Sequence, residues 1–175
     1  TLSEINEEIM SKLRLPLQWY ASSFLVHMIM ALTELHASGY VHSNVIPENI
    51  CFNVQERCWK LIDFGDSVPL EYSLKTRRDL DDSQFLSWDA RVSNIMRPID
   101  DFIALLNVLS FGFPEAFETC SFYKKYEYFR EKIHEAAEES GKVERWWLAV
   151  ALNNHKCICR EFDCPDDTTV DMFDV

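Results

Sequence analysis

The sequence predicts a mainly α-helical fold that carries one small β-hairpin. Several long stretches repeat apolar residues at the spacing of a helix face. Two short β-prone runs, Ile50–Val54 and Cys58–Ile62, flank the polar turn Gln55-Glu56-Arg57, which is the pattern of a hairpin. With 175 residues, the chain is long enough to bury a core as a single domain.

Two helices are predicted before the hairpin. Leu2–Leu13 has amphipathic spacing, and Leu15-Pro16 interrupts that pattern. Leu17–Ala37 is apolar on most sides, which is typical of a buried helix. Gly39 follows it closely, so we expect this glycine to terminate the helix in a left-handed conformation.

Three further helices are predicted after the hairpin. Asp100–Leu109 and Val143–Leu152 are apolar enough to be buried, and Phe122–Ser140 carries an aromatic stripe that we interpret as core packing. Before the first of these helices, Asp66–Pro98 is mostly polar, and we expect irregular structure there. The acidic segment 161–175 is predicted to be loosely ordered.

Composition narrows the classes of function. The formal net charge of −12 argues against binding to nucleic acids or anionic membranes, since both favour clusters of Lys and Arg. The sequence has no apolar run of about 18 residues or more for a membrane span, and the acidic start Thr1–Ser11 is unlike a signal peptide. The six cysteines lack a regular spacing, which indicates reduced thiols. We therefore expect an intracellular protein, cytoplasmic or nuclear.

One segment contains residue types that bind zinc. His155–Cys164 reads HKCICREFDC, but it lacks the usual Cys-x2-Cys pair, and no second pair of ligands faces it. We therefore expect ordinary thiols here and no zinc site. His27 and His36 lie in a predicted helix without another His or Cys one turn away, so neither is expected to bind a metal.

The hairpin brings together the residues on either side of it. Asn49 precedes the first β-prone run and Asp63 follows the second, so the two side chains are predicted to point into one place. An amide oxygen and a carboxylate held close together suit Mg²⁺ and a bound phosphate. Asn49 and Asp63 are therefore the candidate metal- and cofactor-binding residues.

The residues around the hairpin carry a family resemblance. Pro47-Glu48-Asn49 followed by Asp63-Phe64-Gly65 resembles the catalytic loop and the Asp-Phe-Gly metal loop of the eukaryotic protein kinases. Met28–Tyr40 resembles the end of the helix that supports that loop. The resemblance implies a kinase C-terminal lobe over residues 1–160. The N-terminal lobe is expected to be absent from this chain, because no glycine precedes Gly39 to form a Gly-rich loop.

The resemblance also implies structural roles for several residues. His42 is expected to pack under the metal loop, of which Phe64 and Gly65 are part. Asp100–Leu109 is similar, more weakly, to the central helix of the casein kinase 1 and vaccinia-related kinase branch. By that similarity, Asp100 or Asp101 would tie the catalytic loop to this helix.

The same loop departs from the family at three positions. Ser43 stands where the family has Arg, Asn44 stands where it has the catalytic Asp, and Ile46 stands where it has Lys. An amide has no basic form near neutral pH, so Asn44 is predicted to be inactive as a proton acceptor. Ile46 offers no charge to a transferring phosphoryl group. In Asp66–Pro98, which corresponds to the activation segment, Ala90–Ser93 is only a faint echo of the Ala-Pro-Glu motif.

These residues lead to three hypotheses about function. The first is a pseudokinase that acts as a protein-interaction or regulatory module, with ATP and Mg²⁺ bound weakly through Asn49 and Asp63. The second is a low-activity Ser/Thr protein kinase that uses ATP, because loss of the base alone costs roughly 10²–10⁴-fold in rate. The third keeps only the fold, with Asn49 and Asp63 in structural roles.

Overall fold

The structure is a computed structural model that describes residues 15–70, 72–73, 85, 87–93, 95–113 and 142–165. The predicted helices Leu2–Leu13 and Phe122–Ser140 lie outside the described residues, as do residues 166–175 of the acidic segment. Within the described residues, helices predominate and the strands are short. The prediction of a mainly α-helical fold is therefore confirmed.

The elements follow one another in a simple order. The helices are α1 (Leu17–Ala37), α2 (Trp88–Ser93), α3 (Pro98–Gly112) and α4 (Lys142–Glu161). The strands are β1 (Tyr40–Val41), β2 (Ile50–Asn53), β3 (Cys58–Leu61), β4 (Val68–Pro69), β5 (Tyr72–Ser73) and β6 (Ile95–Met96). Two single 3₁₀ turns, Pro47–Asn49 and Phe64–Asp66, lie directly before β2 and shortly after β3.

Helix α1 has the bounds that the sequence predicts. Pro16 precedes its first residue in an extended conformation, and its missing N–H would have had no partner at a helix start. Gly39 adopts the left-handed conformation, with φ of 88°, and its N–H donates to the His36 carbonyl at 2.9 Å. The helix is buried on most of its surface, as expected for a central element.

Strands β2 and β3 form the predicted antiparallel hairpin. Ile50 pairs with Leu61 and Phe52 with Trp59. The Asn53 side chain stabilises the turn, because its oxygen accepts from the N–H groups of Gln55 at 3.0 Å and Glu56 at 3.1 Å. The hairpin packs on α1, where Trp59 Nε1 donates to the hydroxyl of Ser23 at 3.2 Å.

The main core lies between α1, the hairpin, α3 and α4. Trp59 packs edge-on against Phe24 and Phe113, with ring centroids 5.3 and 5.8 Å apart. Helix α4 is longer than the predicted Val143–Leu152, because no glycine or proline interrupts the chain between Lys142 and Glu161. None of the helices in the described ranges combines the length and apolar composition needed to span a bilayer.

The segment 66–98 contains short regular elements that polar composition did not predict. Strand β4 pairs with β1, and β5 pairs with β6, in two small antiparallel sheets. Val41, Val68, Ala90 and Met96 form a separate buried cluster beside these strands. The expectation of wholly irregular structure was wrong here, because two-residue strands depend on distant partners rather than on local pattern.

Candidate functional site

The candidate site lies where the loop 42–49 meets the loop 63–66, which is called the metal loop here only after the kinase segment that it resembles. The hairpin ladder extends one step beyond the strands, because the Ile62 N–H donates to the Asn49 carbonyl at 2.8 Å. Asn49 therefore lies beside the residue that precedes Asp63. The Asn49 side chain is buried and its amide nitrogen donates to the Asn44 carbonyl at 3.0 Å.

Asp63 lies at the exposed rim of the site. It adopts a left-handed conformation with φ of 60°, and one carboxylate oxygen accepts from the Gly65 N–H at 3.3 Å. A β-carbon at position 65 would lie 3.2 Å from that carboxylate oxygen, so glycine leaves room for it. One carboxylate and one amide oxygen on neighbouring chain segments fit Mg²⁺, which often binds few protein oxygens together with phosphate.

The floor of the site is a buried carboxylate, that of Asp101 on α3. One of its oxygens accepts from the His42 N–H at 2.7 Å and lies 2.9 Å from His36 Nε2. The other accepts from the Ser43 N–H at 2.8 Å. Asp101 is only 1% exposed, so these hydrogen bonds form away from water, where a charge-assisted bond is strong. They hold the start of the loop against α3, and Ser43 has a φ of 60° there.

The neighbouring Asp100 faces a different segment. Its carboxylate accepts from the Ser87 hydroxyl, and from the Arg97 N–H at 2.8 Å. Arg97 Nε also approaches it at 3.4 Å. The sequence left open whether Asp100 or Asp101 contacts the loop, and the structure places Asp101 there and Asp100 on residues 87–97.

His42 is fully buried beneath the metal loop. Its Nδ1 accepts from the Asn44 N–H at 3.3 Å, so Nε2, which lies 3.1 Å from the Ile62 carbonyl, carries the proton in the neutral ring. The ring packs edge-on against Phe64, with centroids 5.1 Å apart. Burial lowers the pKa of His42 below its usual value, against the opposing effects of Asp101, the Ile62 carbonyl and the carboxylates of the metal loop.

The side chain of Asn44 is hydrogen-bonded to the metal loop. Its side-chain nitrogen donates to the Asp66 carboxylate at 2.9 Å. The neighbouring Ser43 hydroxyl donates to the Asp66 backbone carbonyl. Ile46 packs against the main core, so it adds no charge to the site. Sequence analysis missed Asp66 as a member of the site, although its position directly after Asp63-Phe64-Gly65 could have indicated it.

His36 was also missed as a partner of the site, because Asp101 lies 65 residues away in the sequence. His27, the other histidine of α1, accepts from the Trp59 N–H at 3.3 Å and so supports the hairpin.

The histidine and cysteines of α4 lie apart from the site. His155 Nδ1 lies 2.7 Å from the Ser22 hydroxyl and its Nε2 lies 3.4 Å from Cys159 Sγ, in a buried cluster that joins α4 to α1. Cys157 is exposed. Across the described ranges, no group of three or more His, Cys, Asp or Glu residues is placed to hold a metal ion.

Known proteins match this chain over part of its length. The chain is 40% identical over 47 residues to the serine/threonine-protein kinase Kist of Homo sapiens and of Mus musculus, which is 27% of this chain and 11% of those proteins. It is 29% identical over 92 residues to calcium-dependent protein kinase 4 of Plasmodium falciparum, which is 51% of this chain and 17% of that protein.

These matches support a protein-kinase-like relationship. The matched regions span between 11% and 17% of the length of these relatives. No family model matches the chain, and no solved structure matches it.

Proposed function

We propose that this chain is a catalytically impaired kinase-like lobe, a pseudokinase, that acts by binding other proteins. The observation that carries this proposal is the environment of Asn44. Its amide nitrogen donates to the Asp66 carboxylate, so the loop presents a hydrogen-bond donor where the resemblance places a proton acceptor. An amide in this role cannot take a proton from a substrate hydroxyl.

The second support is the environment of Ile46. Isoleucine carries no charge, and this side chain packs on the main core. Position 46 therefore supplies no cation to a transferring phosphoryl group. Both losses affect the chemistry, whereas the loop backbone stays tied to α3, because the N–H groups of His42 and Ser43 donate to the Asp101 carboxylate. Retained shape with lost chemistry favours a binding function over efficient phosphoryl transfer.

The proposed module binds Mg²⁺ and ATP weakly through Asn49 and Asp63, and binds its protein partners inside the cell, in the cytoplasm or nucleus. Exposed apolar side chains at the rim support a protein partner, since Phe64 is 51% exposed and Ile62 is 38% exposed. The net charge of −12 disfavours nucleic acids and anionic membranes as alternatives.

Thermal unfolding with and without Mg²⁺ and ATP tests the nucleotide part of this proposal. We expect ATP to raise the Tm only when Mg²⁺ is present, because a ligand that binds the native state stabilises it. Asp63→Asn should abolish the increase. Asp163→Asn is the matched control, since Asp163 is also an exposed aspartate with positive φ, near the end of α4. No increase in the original chain, or an increase that persists in Asp63→Asn, would contradict the proposed site.

Pull-down with immobilised chain tests the partner part. A partner that uses the rim should be lost with Phe64→Ala and kept with Phe162→Ala, which removes an aromatic ring that is 41% exposed after α4. Equal loss in both variants, or loss in neither, would contradict binding at the rim.

A low-activity Ser/Thr protein kinase is the second candidate. The observation that favours it is the Asp66 carboxylate, which lies 2.9 Å from the Asn44 amide nitrogen. Asp66 thus supplies a carboxylate beside position 44, where the resemblance places the catalytic Asp. Transfer of labelled phosphate from ATP to a protein substrate tests it. Activity that disappears in both Asp63→Asn and Asp66→Asn, and survives in Asp163→Asn, would favour the enzyme over the pseudokinase.

A further inference from the structure

Two of the residues that depart from the kinase pattern contact the same third residue. Asn44 donates through its side chain to the Asp66 carboxylate at 2.9 Å. Ser43 donates through its hydroxyl to the Asp66 backbone carbonyl. Asp66 belongs to the 3₁₀ turn Phe64–Asp66 of the metal loop, 22 residues further along the chain. The two replacements therefore create contacts between the loops as well as removing chemistry.

The pairing of Asn44 with Asp66 depends on chemical complementarity. An amide nitrogen is a donor and an ionised carboxylate is only an acceptor, so the two side chains satisfy one another. An aspartate at position 44 would instead place a second carboxylate where the amide nitrogen lies, 2.9 Å from the first. Two carboxylates at such a distance cannot both remain ionised at low cost.

The contacts of Ser43 and Asn44 with Asp66 also lie close in the chain to the residues that carry the candidate ligand oxygens, Asn49 and Asp63. Asp66 lies three residues after Asp63, and the Asp66 backbone is bonded to the loop that begins at the buried Asp101 anchor. Asn44 lies five residues before Asn49, whose amide nitrogen donates to the Asn44 carbonyl. Asn44 is thus bonded both to the residue that carries the amide oxygen and to the segment that carries the carboxylate.

We propose that Ser43, Asn44 and Asp66 form a clasp that fixes the metal loop against the catalytic-like loop, and that these residues position Asp63 beside Asn49. The clasp itself stands on the hydrogen bonds above, whereas its effect on Mg²⁺ and ATP rests on the proposed function. A direct consequence is that Asn44→Asp, the change that restores the family residue, destabilises this protein. Exchange of the two residues restores the pair with donor and acceptor reversed.

A double-mutant cycle tests the clasp. The variants are Asn44→Asp, Asp66→Asn and the exchange variant that combines them, each studied by urea unfolding at pH 7.5. We expect Asn44→Asp to raise the unfolding equilibrium constant about tenfold or more, as for the loss of a hydrogen bond to a charged group. The exchange variant should recover most of that loss. Asp66→Asn alone should have a stability between those of the original chain and Asn44→Asp, because two amides still form a neutral hydrogen bond.

Asn153→Asp is the matched control, because Asn153 is exposed on α4 and the substitution adds the same charge to an acidic chain. A loss in Asn44→Asp no larger than in this control would overturn the clasp. An exchange variant no more stable than the two single effects predict would also overturn it. If Asn44→Asp fails to fold, the exchange variant decides: a folded exchange variant supports the clasp, and an unfolded one overturns it.

The positioning role has its own measurement. We expect the Mg²⁺ concentration at the midpoint of the ATP-dependent Tm increase to rise several-fold in Asn44→Asp and to return within about twofold of the original value in the exchange variant. A merely structural role would change stability without changing that midpoint, and this result would overturn the positioning role. If the original chain shows no increase with Mg²⁺ and ATP, the proposed nucleotide site fails, whereas the urea cycle still decides the clasp.

Discussion

The two sides of the candidate site differ in how they are held. The floor is a set of hydrogen bonds to the Asp101 carboxylate, which is 1% exposed and joins α3 to the backbone of His42 and Ser43. The rim consists of Asp63 and Phe64, which are exposed: Asp63 accepts from the Gly65 N–H, and Phe64 packs edge-on against the ring of His42. Because the bonds of the floor are buried, they hold the loop backbone in position without depending on the exposed side chains of the rim.

The largest expected effect is at the floor. Asp101→Ala leaves the His42 N–H, the Ser43 N–H and His36 without their acceptor, inside the protein. We expect a loss of about 3–5 kcal/mol in the free energy of unfolding, as for other broken buried charge networks. Urea unfolding measures it, with the exposed Asp163→Asn as control, for which about 0.5 kcal/mol or less is expected, because Asn tolerates the positive φ of this residue. A loss at position 101 equal to that at position 163 would remove the distinction between floor and rim.

A buried and a half-exposed phenylalanine give a second comparison, between the main core and the rim. Phe24 is fully buried among the rings of Trp59 and Phe113, so Phe24→Ala should cost about 3–5 kcal/mol. Phe64 is half exposed and contacts the ring of His42, so Phe64→Ala should cost about 1 kcal/mol or less. The Tm of the two variants measures the difference. Equal decreases would show that the rim is part of the stabilising core.

The third expectation concerns pH. Burial lowers the pKa of His42 in the folded protein below the unfolded value, so the unfolded chain binds a proton first as the pH falls. His42 therefore contributes full stability above its unfolded pKa of about 6.5, and this contribution is lost progressively down to its folded pKa.

Urea unfolding between pH 8 and pH 5 measures this effect. We expect the decrease in stability on acidification to be smaller in His42→Gln than in the original chain, since glutamine does not titrate. An identical decrease in both proteins would assign the pH dependence to other groups.

The last expectation concerns the reactivity of two cysteines on α4 and involves no change in the stability of the protein. Cys157 is exposed, whereas Cys159 is 4% exposed and lies against His155. Alkylation of the folded chain should modify Cys157 at least about tenfold faster, because the reagent must reach the sulfur. Mass spectrometry of the modified peptides measures the ratio, which should approach unity in denaturant. Equal rates in the folded chain would contradict the burial of Cys159.

Local sequence was sufficient for the elements that frame the site. Helix α1 has its predicted bounds because Pro16 and Gly39 act on the backbone next to them. The hairpin likewise follows from two β-prone runs and a short polar turn, and it determines that Asn49 lies beside the residue before Asp63. Both predictions needed only interactions between residues close in the chain. The family resemblance was also readable, because it rests on short motifs at fixed spacing.

Tertiary structure decided which side chains meet at the site. The division of work between Asp100 and Asp101, the contact of His36 with Asp101 and the bond from Asn44 to Asp66 all join separate elements. Adjacent positions on a helix point about 100° apart, so the packing of α3 against α1 and the loop selects which aspartate faces the loop. Which aspartate faces the loop depends on how the elements pack together, so it cannot be predicted from the residues next to it in the sequence.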